Sequence, residues 1–242
     1  MYKSALYILI FLLSFSAVAQ EHATDETTTL MRRDIIGGIN FNTHGWGLAC
    51  SYGFQKNYKY KNTIGFTFTN IRHEKEYKIY GDLSNSKGYY LGKLNSLVSF
   101  RPTFGGKLVL FKTRREGGIE ISAKWHLGPS IGMLKPVYLR IDKVNSTPVD
   151  ERYDPAVHNP GNIASRSSWV KGLSDAKFVP GIFAKVGFDF DFSHVRTTIS
   201  GGEFGCMFDY FFYPDVDLLY NNDNPNYYAC LYLQFNLGQK LY

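Results

Sequence analysis

The stretch Gly181–Phe192, GIFAKVGFDFDF, changes character at almost every residue. Along an extended chain, Ile182, Ala184, Val186, Phe188, Phe190 and Phe192 fall on one side, and Lys185, Gly187, Asp189 and Asp191 on the other. Only the two-residue period of a strand sorts them so; a helical period would mix the two sets. A soluble barrel and a membrane barrel share this period, so the deciding question is which face meets water.

Eight such segments can be read, near 34 to 42, 45 to 54, 62 to 72, 88 to 101, 117 to 139, 178 to 192, 197 to 213 and 227 to 238. Their lengths bracket the roughly 9–11 residues that a tilted membrane strand needs, and the fifth overruns it. Representative apolar faces are Ile35, Ile39 and Phe41 in the first, Tyr90, Leu94, Val98 and Phe100 in the fourth, and Leu231, Leu233 and Phe235 in the last. These faces are nearly free of charge. The opposite faces mix charge with Gly47, Gly53, Gly187 and Gly205, as the interior of a narrow barrel requires. Aromatics gather near strand ends at Tyr89-Tyr90, Tyr210 to Tyr213 and Tyr227-Tyr228, which suits interfacial girdles. The expected fold is therefore all-β: a closed antiparallel eight-stranded transmembrane β-barrel, apolar side to lipid, first and last strands paired so that no edge is left open.

The chain has 242 residues and a formal charge of +6. Met1 to Lys3 carry one positive charge, Ala5 to Leu13 are apolar, and Ala17-Val18-Ala19 is a small-x-small cleavage site before Gln20. That order predicts a secretory signal peptide over 1–19, an N-terminal periplasmic segment over 20–33 and the barrel over 34–242. Three cysteines, Cys50, Cys206 and Cys230, are too few and too scattered for a disulfide scaffold and are expected as free thiols. The basic residues are dispersed, which speaks against nucleic acid as a partner and fits a surface near anionic lipid. With the first strand rising from the periplasm, the periplasmic turns are 54 to 61, 102 to 116 and 193 to 196. The longer connections 73 to 87, 140 to 177 and 214 to 226 are then extracellular. Pro148, Pro155 and Pro160 predict an irregular 140–177 loop.

The segments INFNTHGWGLACSYGF, SNSKGYYLGKLNSL and LKPVYL, with the terminal YYACLYLQFNLG, carry a resemblance. From Asp34 to Tyr242 the chain resembles small eight-stranded outer-membrane β-barrel proteins of the Bacteroidota type. The resemblance implies an outer-membrane location in a Gram-negative cell. It also implies a role among accessory subunits of outer-membrane assembly and secretion machines. Gln239 to Tyr242 depart from the usual ending, in which an aromatic closes the strand pattern directly.

Motifs that imitate enzymes lack their context. Gly128-Pro129-Ser130-Ile131-Gly132 matches the pattern of a nucleophile elbow, but strand-like flanks replace the required helix. His73-Glu74 lacks a second His one turn on, and Gly88 to Lys93 is one residue short of a phosphate loop. The oxygen-rich run Asp215 to Asn224 has no EF-hand spacing. An enzyme would have to gather His44, His73 or His158 with an acid on one loop face. The inward charges carry more information. Lys93, Arg101, Lys124 and Lys185 are expected to meet Glu120, Asp189, Asp191, Glu203 and Asp209 inside the barrel, with His126 beside them. Four cations against five carboxylates predict mutual pairing and a plugged lumen rather than an ion-selective pore. Tyr153, Arg166 and Trp169 are the expected contact residues of the longest loop.

The expected function is non-enzymatic, with no cofactor and no bound metal. The protein would be a structural or accessory subunit of an outer-membrane assembly or secretion complex. Its partners would be outer-membrane lipid and other outer-membrane or periplasmic proteins. The alternatives are a small-solute channel or a surface receptor or adhesin and, behind them, a lipid-modifying or proteolytic barrel.

Overall fold

The computed structural model describes residues 33–57, 59–80, 87–111, 118–143, 147–193, 197–213 and 216–241. The predicted signal peptide, with Ala17 and Ala19, and Gln20 after it lie outside the described residues.

In chain order the strands are β1 (Arg33–Asn42), β2 (Gly45–Asn57), β3 (Tyr60–Ile71), β4 (Lys78–Ile79), β5 (Tyr89–Tyr90), β6 (Asn95–Phe111) and β7 (Glu120–Pro136). They continue with β8 (Tyr138–Ile141), β9 (Val149–Arg152), β10 (Ile163–Arg166), β11 (Lys177–Asp191), β12 (Thr198–Phe211) and β13 (Tyr227–Leu241). Eight of them close into a barrel in the order β1-β13-β12-β11-β7-β6-β3-β2. Every pairing is antiparallel, and β1 closes on β13 from Arg33↔Leu241 to Asn42↔Tyr232. Closure leaves the wall no free edge.

The strands form because their alternation is consistent over many residues. In β11, Phe183, Lys185, Asp189 and Asp191 are buried, while Ile182, Val186 and Phe188 are exposed. The same parity runs through β12 and β13, where Phe204, Phe208, Leu231, Leu233 and Phe235 stand outside and Glu203, Asp209, Gln234 and Asn236 are buried inside. The usual order of a globular protein is thus reversed.

Four expectations are corrected. The fourth strand does not end at Arg101, nor does it begin near 88. It runs from Asn95 to Phe111, so most of the expected 102–116 turn is wall. Pro102 stays within it, directly opposite Pro129 of β7, so the two missing N–H donors fall at one spot of the ladder between Phe100↔Ile131 and Phe104↔Leu127. Gly128 lets the strands draw together there, since a Cβ on it would strike the Pro102 carbonyl. Secondly, Tyr89 and Tyr90 form a separate ribbon with Lys78 and Ile79, and Leu94 lies just before the wall. Thirdly, Tyr89 and Tyr228 are buried rather than at an interface, and Val98 is buried despite its outward parity. Fourthly, the described part of the 140–177 loop forms regular structure: β8 pairs with β9 and with β10 in a three-stranded sheet. Hairpin pairing from Tyr138↔Arg152 to Ile141↔Val149 satisfies backbone groups that an irregular loop would leave to water.

This loop sheet sits over one end of the barrel. Tyr89, Val137, Leu139, Ile141, Tyr153 and Ile163 form its own apolar core, against which Ile79, Leu91 and Leu94 pack. Backbone bonds stitch it to the mouth, Val137 N–H to Leu94 O at 3.0 Å and Leu94 N–H to Leu218 O at 2.9 Å among them.

Candidate functional site

The barrel interior is the largest concentration of chemistry in the molecule. At the turn end, Lys61 Nζ meets Asp34 at 2.7 Å and Lys240 meets Asp191 at 3.1 Å. Higher up, Lys107 lies between Glu120 at 3.1 Å and Asp189 at 2.9 Å. Lys124 bridges Asp189 at 2.7 Å and Glu203 at 3.1 Å, and Lys185 holds the other Glu203 oxygen at 2.7 Å. The Tyr232 hydroxyl donates to Glu203 at 2.7 Å, and Asn236 donates to both Asp189 and Glu203. Gly187 makes room for that tyrosine, because a Cβ there would meet the Tyr232 hydroxyl. Toward the mouth, Arg101 forks onto Asp209 and also donates to Thr69 at 2.7 Å, while Ser130 donates to Asp209 at 3.0 Å.

Among the described residues, six cations (Lys61, Arg101, Lys107, Lys124, Lys185 and Lys240) thus meet six carboxylates (Asp34, Glu120, Asp189, Asp191, Glu203 and Asp209). No sign of charge dominates. A buried ion needs such pairing, since an unpartnered charge in the interior costs several kcal/mol. Above the ions the lumen turns apolar: Ile71, Leu97, Leu134, Val179, Phe211 and Tyr228 surround Val216 and Leu218, which descend from the loop after β12. Asn224 shapes that loop, accepting from the N–H groups of Leu218 and Leu219 at 3.0 Å each and donating to Leu219 O at 2.9 Å. Part of the oxygen-rich run therefore works as a turn scaffold.

The structure places Lys93 at the mouth and not in the lumen. Its ammonium pairs with Glu76 at 2.7 Å, and Lys93 bridges Leu219 of the mouth loop. Burial pushes that ammonium down in pKa, opposed by Glu76. Lys61, Lys107, Lys240 and Asp34 were missed. Lys107 has an odd-numbered position in a strand expected to end at Arg101, so its inward parity was legible only once the strand was carried past Pro102. Tyr153 is buried in the loop core, whereas Arg166 and Trp169 are exposed.

The enzyme-like motifs do not assemble. Ser130 lies in mid-strand, hydrogen-bonded to Ser99 and Asp209, with no His as partner. The three loop histidines have separate partners: two meet an acid, His44 with Glu74 at 3.3 Å and with the Thr43 hydroxyl at 3.3 Å, and His158 with Glu151 at 3.4 Å, whereas His73 meets the Asp223 carbonyl at 3.1 Å. Among the described residues no group of three or more His, Cys, Asp or Glu converges as a metal site. Cys50, Cys206 and Cys230 are free, the first two on the outer face.

No protein-family model and no curated protein matches the chain. Among solved structures, it is similar to Neisserial surface protein A (NspA), at 8% identity and a TM-score of 0.41, over 86% of this chain and 96% of that one. It is likewise similar to Ail, the attachment invasion locus protein of Yersinia pestis, solved with the heparin analogue sucrose octasulfate. There the identity is 8% and the TM-score 0.40, over 86% of this chain and 97% of that one. At those values the likeness adds nothing to the strand order that this chain's own pairings establish.

Proposed function

We propose that the protein is an integral outer-membrane β-barrel that acts without catalysis and without an open lumen, as a docking or accessory subunit for other outer-membrane or periplasmic proteins. The observation that carries this is the reversed polarity of the wall. Aliphatic and aromatic side chains cover the outside from Ile35 and Phe41 round to Leu233 and Leu237, while the ions are paired within. Water would not tolerate so large a contiguous apolar girdle on a monomer, whereas hydrocarbon is its natural solvent, and the closed ladder satisfies the backbone there. The predicted signal peptide supports export to the envelope. With a neutral, filled lumen, the outer wall and the loop cap are the surfaces left to act.

Crosslinking mass spectrometry on intact outer membranes, followed by recovery in mild detergent, tests this reading. Stoichiometric membrane or periplasmic partners are expected; a lone monomer under several detergents would sink the accessory role. A second reading, a surface receptor, is favoured by the folded sheet β8-β9-β10 over the mouth. Replacing that sheet by a short turn would abolish ligand capture in a receptor and leave partner recovery through the wall unchanged.

A further inference from the structure

The loop cap holds a second cluster of charge that, among the described residues, carboxylates neutralise only in part. Arg140 of β8, Arg166 at the end of β10 and Lys87 line a cavity of about 350 Å³ together with Ser165, Ser167, Ser168 and Trp169. Pairing brings them together: Arg140 is in register with Ser165, and Arg166 N–H donates to Lys87 O at 3.1 Å. Among the described residues, none that lines the cavity is acidic. The nearby carboxylate, Asp150, takes Arg140 Nε at 3.3 Å and also the Lys171 ammonium. Among the described residues, neither Arg166 nor Lys87 has a carboxylate within ion-pair distance.

Two further observations point into the same place. Lys135 is buried beside Trp169, where its ammonium donates to the Lys171 carbonyl at 3.2 Å and stands 5.5 Å from the indole ring centre. Among the described residues it too lacks a carboxylate. Ser167, whose side chain is buried, lines the cavity as well. Like charges gathered in a half-enclosed space repel, and an oxyanion with several acceptor oxygens is the ligand that relieves them. Guanidinium groups present paired donors matched to phosphate or sulfate, and serine hydroxyls supply more. The exposed indole of Trp169 offers a flat apolar face beside those donors.

We propose that this cavity binds an oxyanion-bearing sugar, its phosphate or sulfate held by Arg166, Lys87 and Arg140 and its ring laid against Trp169. The ligand comes either from a phosphorylated sugar headgroup of the surrounding lipid or from a free saccharide. The site is independent of whether the barrel docks other envelope proteins, and its failure would leave that reading intact.

The test uses the full mature chain in detergent, titrated with glucose 6-phosphate, inorganic phosphate and glucose, and followed by calorimetry and tryptophan emission. Glucose 6-phosphate is expected to bind saturably, phosphate more weakly and glucose not at all. Arg166→Gln, at an exposed position that does not threaten folding, is expected to weaken the sugar phosphate at least about tenfold, the loss of one charge-assisted contact. Trp169→Leu is expected to weaken the sugar phosphate but not phosphate. Repeating the titration in nanodiscs with and without lipid A separates the sources. Competition by lipid A, absent in Arg166→Gln, assigns the headgroup; no competition assigns a free saccharide. No saturable binding in either setting, equal binding of glucose, or an Arg166→Gln chain that binds as the wild type does would overturn the proposal.

Discussion

Arg101 of β6 grips both carboxylate oxygens of Asp209 of β12 across the barrel, Nε and Nη2 each 2.8 Å from their acceptors, with both side chains almost wholly shielded from solvent. The guanidinium also lies 4.6 Å from the Phe183 ring centre. Removing one partner strands the other charge. Arg101→Met is therefore expected to cost about 3–5 kcal/mol, and Arg101→Met combined with Asp209→Leu to recover most of it. Urea unfolding in detergent or vesicles, read by the mobility of unheated samples on gels, checks both; a double variant as weak as the single one would count against this pairing as the reason.

The outer wall makes a depth-dependent prediction. Leu233 is near the middle of β13 and half exposed, whereas Tyr213 lies beyond the end of β12. In a bilayer, Leu233→Arg is expected to cost about 2–4 kcal/mol and Tyr213→Arg at most about 1 kcal/mol. Equal effects of the two, measured by the same unfolding assay in lipid vesicles, would argue against hydrocarbon around the wall.

The lumen is sealed twice, by the ion lattice around Asp189 and Glu203 and by Val216 and Leu218 in the mouth. Planar bilayers containing the purified chain are expected to show no steady single-channel openings. The chain with Val216→Gly and Leu218→Gly is expected to stay closed as well, because the ions below still fill the bore. Reproducible conductance from either chain would contradict a plugged lumen.

Acid is expected to open the loop sheet before the barrel. Asp150 has its pKa drawn below the ordinary 3.8 by the hydrogen bond from Lys171, against the opposing effect of burial, with Arg140 adding to the lowering. Glu151 is drawn below 4.5 by the hydrogen bond from Lys143, with His158 adding. A carboxyl whose folded pKa lies below its unfolded value adds stability that is full above the unfolded value and disappears as pH falls through the depressed one. Hydrogen exchange, corrected for intrinsic rates, is expected to show β9 losing protection below about pH 4, with the barrel strands unchanged. Asp150→Asn should remove much of that dependence; an unaltered profile would deny Asp150 the role.

Much of the barrel was legible because its cause is local and repeated. Parity places Val186 and Phe188 on one face and Lys185 and Asp189 on the other wherever the strand is laid. The fourth strand was not legible past Pro102, because proline ordinarily ends a central strand. Here β3 pairs with it from Leu97 to Leu108, straight past Pro102, and Pro129 stands opposite, so the interruption is confined to one spot. Lys107 was lost to that reading. Lys93 was misplaced for a related reason: the 88–94 segment reads as wall, yet its Tyr89 and Leu94 are drawn into the loop core.

By itself the sequence determined the strand period, the two opposed faces of each strand and the charges available to fill an interior, since each depends only on residues two apart. Which charges meet was decided by the tertiary structure. Lys124 and Glu203 lie on β7 and β12, strands that both border β11, and their contact depends on the register and closure of the whole ring. The same is true of Arg140, Arg166 and Lys87, which become one basic cavity only when β8 pairs with β10 and the ribbon before β6 is laid beside them.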